Sequence, residues 1–308
     1  FEEIKEGLQN LIAPKDAKFH IESKTDSDSE SGRLLQETDT FDTWFSSGHW
    51  PLATLRYPDS EDFKYFYPTS VMETGWEIIR FWVSRMIMFG IYLTGKPPFK
   101  DIYLHGLVRA LDGKKMSKSL GNAIDPMDYI EEYGADALRM GLISGTANGK
   151  DFAFPKDKVI AYRNFANKLW NMARFMLMMM GDFEEGTVFD YSKIDQKSLS
   201  STDIELIENL KKLISKVNLS LEKFRFSDAS DFIYQFMWHE IADKYIEYVK
   251  SLVGNEKITS LSVLRHVYVM GLKLLHPFMP FVTESIWENI SKLDGEGDLL
   301  ISSNWPEI

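Results

Sequence analysis

Residues 102–134 read IYLHGLVRALDGKKMSKSLGNAIDPMDYIEEYG, and the fold turns on them. Ile102 to Val108 alternates like a buried strand, and Asp112-Gly113 is a strong turn dipeptide. A loop then runs to Gly121. Asp125-Pro126 supplies a cap and a first-turn proline for a helix over Met127 to Glu132; Gly134 closes that helix, and Asp136 starts another. Strand, turn, loop and capped helix in this order predict an α/β layer.

Upstream, the strand-like Ser70-Val71-Met72 leads to Thr74, which with Glu77 three residues on predicts a capping box and a helix over 75–92. The stretch from Phe41 to Trp50 gathers Phe41, Trp44, Phe45 and Trp50 around Ser46, Ser47 and Gly48, a mixture suited to a pocket wall beside a turn and equally to a core. Further up, Ile4, Leu8, Leu11 and Ile12 repeat at helical spacing, and Phe19 and Ile21 alternate like a short strand. Residues 24–33 are Ser-, Asp- and Glu-rich and read as a solvated linker. Downstream of Pro155 the pattern is helical throughout: 162–180, 203–224, 229–253, 261–275 and 280–293. An α/β layer followed by an all-α helical bundle is the expected architecture, with domains 1–152 and 153–308.

A length of 308 residues fits about two domains, and 44% apolar with 14% aromatic residues excludes a disordered chain. Zero cysteines exclude a disulfide framework and a thiolate zinc site, and six scattered histidines give no metal cluster. A reducing, cytoplasmic setting is expected. The 35 basic against 46 acidic residues leave a net charge of −11, so a polyanion must bind through local basic groups. The apolar run Met86 to Leu93 falls far short of the roughly 20 residues that cross a bilayer. The chain starts at Phe1 with no targeting pattern, as expected of a chain that begins mid-protein.

The segment Gly113-Lys114-Lys115-Met116-Ser117-Lys118-Ser119-Leu120-Gly121-Asn122 resembles the KMSKS signature of class I aminoacyl-tRNA synthetases, and Gly134 to Arg139 follows in the order found there. Alone, a pentapeptide reads equally well as a basic surface loop. The resemblance implies the second half of a Rossmann-type catalytic domain followed by an anticodon-binding bundle. It also implies ATP, delivered with Mg²⁺, as a substrate. Lys115 and Lys118 can bring two ammonium groups onto a triphosphate while Met116, Ser117, Ser119 and loop amides line the same nucleotide. Cations that meet the departing pyrophosphate best in the transition state accelerate adenylate formation.

Within that class the resemblance runs closest to the valyl branch, over Asp42 to Ser47, Thr74 to Met86 and His105 to Arg109; a related isoleucyl- or leucyl-type enzyme is the alternative. It implies valine and tRNA(Val) as substrates. Trp44, Ile78 and Trp82 are the amino-acid contacts it implies; Ile78 and Trp82 lie four apart on one helical face, where spacing alone favours a plain core role. Gly75 and Glu77 are the implied ribose side, with glutamate standing where the family has aspartate, and His105 with Gly106 the implied adenine side. In the helix over 162–180, Arg163, Asn167, Trp170, Asn171 and Arg174 share one face, and Phe165, Leu169, Met172 and Met176 the other. The resemblance makes the polar face a tRNA contact; composition alone makes it a solvated face. His276, in the run Leu274 to Trp287, reads as packing. The histidine-containing HIGH motif and the editing domain are absent from the sequence. The expected partner is therefore an amino-terminal half that carries both, without which the chain is inactive, and a non-catalytic tRNA-binding remnant is the alternative.

Overall fold

The computed structural model describes residues 40–117, 121–290 and 299–307. The expected helix and strand over 4–21, the linker over 24–33, and Lys118 and Ser119 lie outside the described residues. The chain divides into two compact units, 1–102 and 103–308. The expected boundary at 152/153 falls inside the second.

In the first unit, α1 (Thr43–Gly48), α2 (Trp50–Ala53) and α3 (Glu61–Phe66) precede β1 (Thr69–Gly75), and α4 (Ser84–Thr94) leads to β2 (Phe99–His105), which runs across the division. β1 and β2 form a two-stranded sheet. The aromatic stretch is helical instead of a turn. Asp42 caps α1 by accepting from the Trp44 amide at 2.7 Å, and the Ser46 and Ser47 hydroxyls turn back onto the Thr43 carbonyl. Gly48 lets α1 lie against α4, because a Cβ there would meet the Phe89 ring at 2.7 Å.

The expected capping box does not form. Thr74 is buried inside β1, and the chain enters the helix by a 3₁₀ turn (Trp76–Ile78) and a π-helical segment (Ile79–Val83) before α4 begins. The run from Trp76 to Val83 is dense in β-branched and aromatic side chains, which lose rotamer freedom against a preceding α-turn. Strand pairing has claimed the residue that would have capped. Val83, Met86 and Phe99 form the small core beneath, with Met72, Trp82 and Ile87 packed on it.

The second unit opens with the rest of β2. The expected strand over 102–108 is displaced: β2 begins at Phe99, ends at His105, and is mostly exposed, and β3 is only Val108–Arg109. β3 pairs in parallel with β4 (Phe152–Ala153), Val108 opposite Phe152. α5 (Pro126–Tyr133) is capped by Asp125, whose carboxylate accepts from the Met127 amide at 2.9 Å. Gly134, at φ +90°, separates α5 from α6 (Ala135–Ile143).

The bundle follows the apolar periodicity closely. It comprises α7 (Lys156–Gly181), α8 (Ser201–Glu222), α9 (Phe226–Gln235), α10 (Ile246–Lys250), α11 (Gly254–Leu275) and α12 (Pro280–Ile290). The helix expected over 229–253 is three pieces, because a π-helical segment (Phe236–Tyr245) joins α9 to α10. α11 is long and apolar enough by composition to cross a bilayer, yet 78% of its most apolar window is buried, which makes it the core helix of the bundle. Tyr268 on α11 donates to the Leu169 carbonyl of α7 at 2.7 Å.

One buried carboxylate knits three helical segments. Asp203, 1% exposed, accepts from Ser260 Oγ at 2.8 Å and from Tyr245 Oη, while its second oxygen accepts from the Ser200 amide and hydroxyl at 2.8 Å. Burial, with that carboxylate beside it, pushes the Tyr245 phenol far above its usual range. A fully satisfied buried acid of this kind stabilises one arrangement of its neighbours, and its half-satisfied form is costly.

Candidate functional site

The lysine loop grows from a tight hairpin. After β3, the Gly113 amide donates to the Ala110 carbonyl at 2.8 Å, the Ala110 amide donates to the Lys114 carbonyl at 3.1 Å, and Arg109 bridges antiparallel to Lys115. Gly113 sits at φ +79°, a conformation that disfavours any side chain, and Asp112 Oδ1 accepts from the Lys114 amide at 3.0 Å. Asp112-Gly113 thus makes the turn that its dipeptide predicts.

Asp151 anchors this hairpin from 42 residues away. Its Oδ2 accepts from Arg109 Nε at 2.6 Å and pairs with Nη2, its Oδ1 accepts from the Leu107 amide at 2.8 Å, and Arg109 Nη1 reaches the Gly113 carbonyl at 3.4 Å. Gly106 makes the close approach possible: a Cβ there would lie 1.8 Å from the Lys150 carbonyl oxygen. Neither Arg109 nor Asp151 stands out in the sequence as a support, since no local pattern links them.

Lys115 is exposed, and its ammonium makes no hydrogen bond or ion pair among the described residues, while Met116 and Ser117 are half-buried. The Ser117 amide donates to Asn122 Oδ1 at 2.9 Å, and Asn122 Nδ2 donates to the Lys115 carbonyl at 3.3 Å. Gly121, at φ +64°, turns the chain into position for this. His105 is exposed with Nδ1 at 2.9 Å from the Gly106 carbonyl oxygen, so it is not a core histidine.

In the first unit, Gly75 is buried and the Glu77 carboxylate folds back over it, so that a Cβ on Gly75 would stand 2.5 Å from Glu77 Oε2. With the capping box absent, Glu77 is an exposed acid with no hydrogen bond among the described residues. Trp44, Ile78 and Trp82 are each half-buried. Trp82 Nε1 donates to the Ser47 carbonyl at 2.9 Å, which ties the π-helical segment to α1. Trp44 stacks on Phe81, centroids 5.5 Å apart, a neighbour that sequence spacing did not suggest. Ile78 ends the 3₁₀ turn and Trp82 lies in the π-helical segment, so the expected shared α-helical face is not formed.

On α7 the two expected faces separate cleanly. Phe165, Leu169, Met172 and Met176 are buried in the bundle, and Arg163, Asn167, Trp170, Asn171 and Arg174 are all exposed. Trp170 is 45% exposed, an unusual position for so large an apolar surface. Lys168, between the faces, pairs with Asp243 at 3.1 Å and lies 5.0 Å over the Trp238 ring; the lysine's hydrogen bond holds the Asp243 carboxyl below its usual range. His276 bonds Thr283 Oγ1 through Nδ1 at 2.8 Å, and burial lowers its pKa, as a packing histidine behaves.

Residues 2–155 match the family described as tRNA synthetases class I (I, L, M and V). The chain belongs to that family. Residues 203–308 match the anticodon-binding domain of tRNA ligase. Among relatives of the class I family, a valine–tRNA ligase of Clostridium acetobutylicum is 46% identical over 290 residues, covering 92% of this chain and 32% of the relative. One of Geobacillus stearothermophilus is 46% identical over 280 residues, 89% and 31% of the two chains. The chain spans about a third of the length of these curated relatives. The fold is also that of solved class I enzymes. An Agrobacterium radiobacter K84 LeuRS, solved with tRNA and LeuAMS, superposes with a TM-score of 0.69 at 24% identity, covering 88% of this chain and 33% of that one. A Mycobacterium tuberculosis methionyl-tRNA synthetase with methionyl-adenylate gives 0.66 at 22%, covering 85% and 55%. A class I catalytic portion followed by an anticodon-binding bundle is therefore the architecture, as the motif order implied.

Proposed function

We propose that the chain is the KMSKS-bearing and tRNA-contacting portion of a valine–tRNA ligase. Identity of 45–46% to valine–tRNA ligases across about nine-tenths of its length carries this reading. In the reaction, a carboxylate oxygen of valine attacks the α-phosphorus of Mg²⁺-bound ATP. The bond to pyrophosphate breaks; a hydroxyl of tRNA(Val) then takes the aminoacyl group from the valyl-adenylate, the acyl–phosphate bond breaks, and AMP leaves.

The loop residues Lys115, Met116, Ser117, Lys118 and Ser119 take the triphosphate. The two ammonium groups gain most as charge gathers on the leaving pyrophosphate, so their effect falls on the rate of activation more than on binding. An exposed Lys115 on a hairpin anchored by Asp151 supports this role: its backbone is held while its side chain is free to reach. Gly75 and Glu77 face the ribose, His105 and Gly106 the adenine, and Trp44, Ile78 and Trp82 the valine side chain. The exposed face of α7, from Arg163 to Arg174, offers cations, amides and an aromatic plane to tRNA. Functionally, residues 1–152 serve activation and 153–308 serve tRNA. The partner is an amino-terminal half with the HIGH motif and the editing domain.

The test is valine-dependent exchange of pyrophosphate into ATP, run on the chain alone and on the chain paired with a valine–tRNA ligase amino-terminal half. No exchange alone and recovery on pairing are expected. Recovery with isoleucine or leucine in place of valine would reassign the substrate, and tRNA binding without any recovery would leave only an RNA-binding remnant.

A further inference from the structure

The lysine limb is gripped from two sides, and only one of the grips belongs to the strand framework. On one side Lys115 bridges to Arg109, which Asp151 holds. On the other, a single planar amide engages two backbone groups of the limb: Asn122 Oδ1 accepts from the Ser117 amide at 2.9 Å, and Nδ2 donates to the Lys115 carbonyl at 3.3 Å. Donor and acceptor of one carboxamide thus meet an acceptor and a donor two residues apart, as the edge of a neighbouring strand would. The grip joins Asn122 to the backbone of Lys115 and Ser117.

From this geometry we infer that Asn122 is a positioning residue for Lys115: its side-chain amide fixes the backbone of Lys115 to Ser117. The inference rests on the proposed activation of valine by ATP. It adds a residue that touches no substrate and acts by placing Lys115 where charge develops. Misplacement by about 1 Å of a charge that acts in the transition state costs up to a hundredfold in rate, while ground-state binding of the amino acid is untouched.

Two variants separate positioning from mere packing. Asn122→Ala deletes both bonds. Asn122→Asp keeps the acceptor for Ser117 but, when ionised, sets a second anionic oxygen against the Lys115 carbonyl; when protonated, its O–H restores the lost donor.

In the chain paired with its amino-terminal half, Asn122→Ala is expected to lower kcat for valine-dependent pyrophosphate exchange by about tenfold to a hundredfold with the KM for valine within about twofold. The Asn122→Asp rate, as a fraction of the unsubstituted enzyme at the same pH, is expected to climb as pH falls toward the carboxyl range, about 4. Hydrogen exchange on the 308-residue chain alone provides a readout independent of catalysis: the Ser117 amide is expected to exchange about tenfold faster in Asn122→Ala. Unchanged protection of Ser117 would overturn the clamp. Faster exchange at Ser117 with unchanged kcat, or a pH-independent Asn122→Asp fraction, would overturn the positioning role. If the unsubstituted pair shows no valine-dependent exchange while Ser117 deprotects as expected, the clamp stands, and both the proposed function and the positioning role built on it fall.

Discussion

An alanine at position 106 would put a methyl carbon 1.8 Å from the Lys150 carbonyl oxygen, 2.1 Å from the Lys150 carbonyl carbon and 2.6 Å from the Asp151 amide nitrogen. All three are backbone atoms, so no side chain can swing away. Ordinary contact begins near 3.4 Å, and the segment carrying Lys150 and Asp151 must retreat by about 1.6 Å if it alone moves. Two bonds do not survive that retreat: Leu107 N to Asp151 Oδ1 at 2.8 Å and Phe152 N to the Leu107 carbonyl at 3.1 Å. Overpacking costs about 1–3 kcal/mol and each lost bond about 1 kcal/mol, more where the acceptor is ionised. A loss of roughly 3 kcal/mol is expected for Gly106→Ala, which for a unit of this size lowers Tm by about 6–12 °C. With Asp151 displaced, Arg109 loses its anchor and the lysine hairpin its support, so valine-dependent exchange in the paired enzyme should fall together with stability. Calorimetry of the chain and exchange assays of the pair read the two effects. A Gly106→Ala protein melting within about 2 °C of the parent at full exchange rate would refute the close packing of 106 on 150–151.

Three further outcomes follow from other parts of the molecule. Trp170→Ala removes a half-exposed side chain, so stability should change by no more than about 0.5 kcal/mol, whereas KM for tRNA in aminoacylation should rise about tenfold with pyrophosphate exchange unchanged; an unaffected tRNA KM would remove the α7 face from the interface. Asp203→Asn sets an N–H₂ against donors from Tyr245 and Ser260 or from Ser200, and urea titration should show a loss of about 2–4 kcal/mol; a loss under about 1 kcal/mol would contradict the satisfied network. Burial lowers the pKa of His276, so above its ordinary 6.5 both states are neutral, and on acidification the unfolded chain takes the proton first. Stability should therefore decline as pH falls below about 6.5, partly opposed at lower pH by Asp136, whose pKa burial raises; His276→Gln should flatten the decline, and an unchanged slope would count against it.

Helical periodicity carried the bundle: the buried residues of α7 and α8 lie where a 3.6-residue repeat puts them, α11 is buried on nearly every side from Ser260 onward as a core helix, and Asp125-Pro126 and Asp112-Gly113 act as their chemistry dictates. Local patterns failed where pairing competed with them. Thr74 and Glu77 have the spacing of a capping box, but β1, which pairs with β2, runs to Gly75 and takes Thr74 into the strand. A period of 3.6 also cannot distinguish an α-helix from one that contains π-helical turns, which hid the breaks at Ile79–Val83 and Phe236–Tyr245. The supports of the lysine loop were illegible for a different reason. Asp151 is remote in sequence from Arg109, and Asn122, though inside the motif, works through its side-chain amide on backbone groups that no residue pattern encodes.

The most direct measurement is the rate constant for valyl-adenylate formation in the paired enzyme, taken by single-turnover kinetics for Lys115→Ala and Lys118→Ala alongside the equilibrium Kd for valine. A fall of about a hundredfold or more in the rate constant with Kd within about twofold is expected of cations that act on the leaving pyrophosphate. Equal losses in rate and in valine affinity would contradict that role.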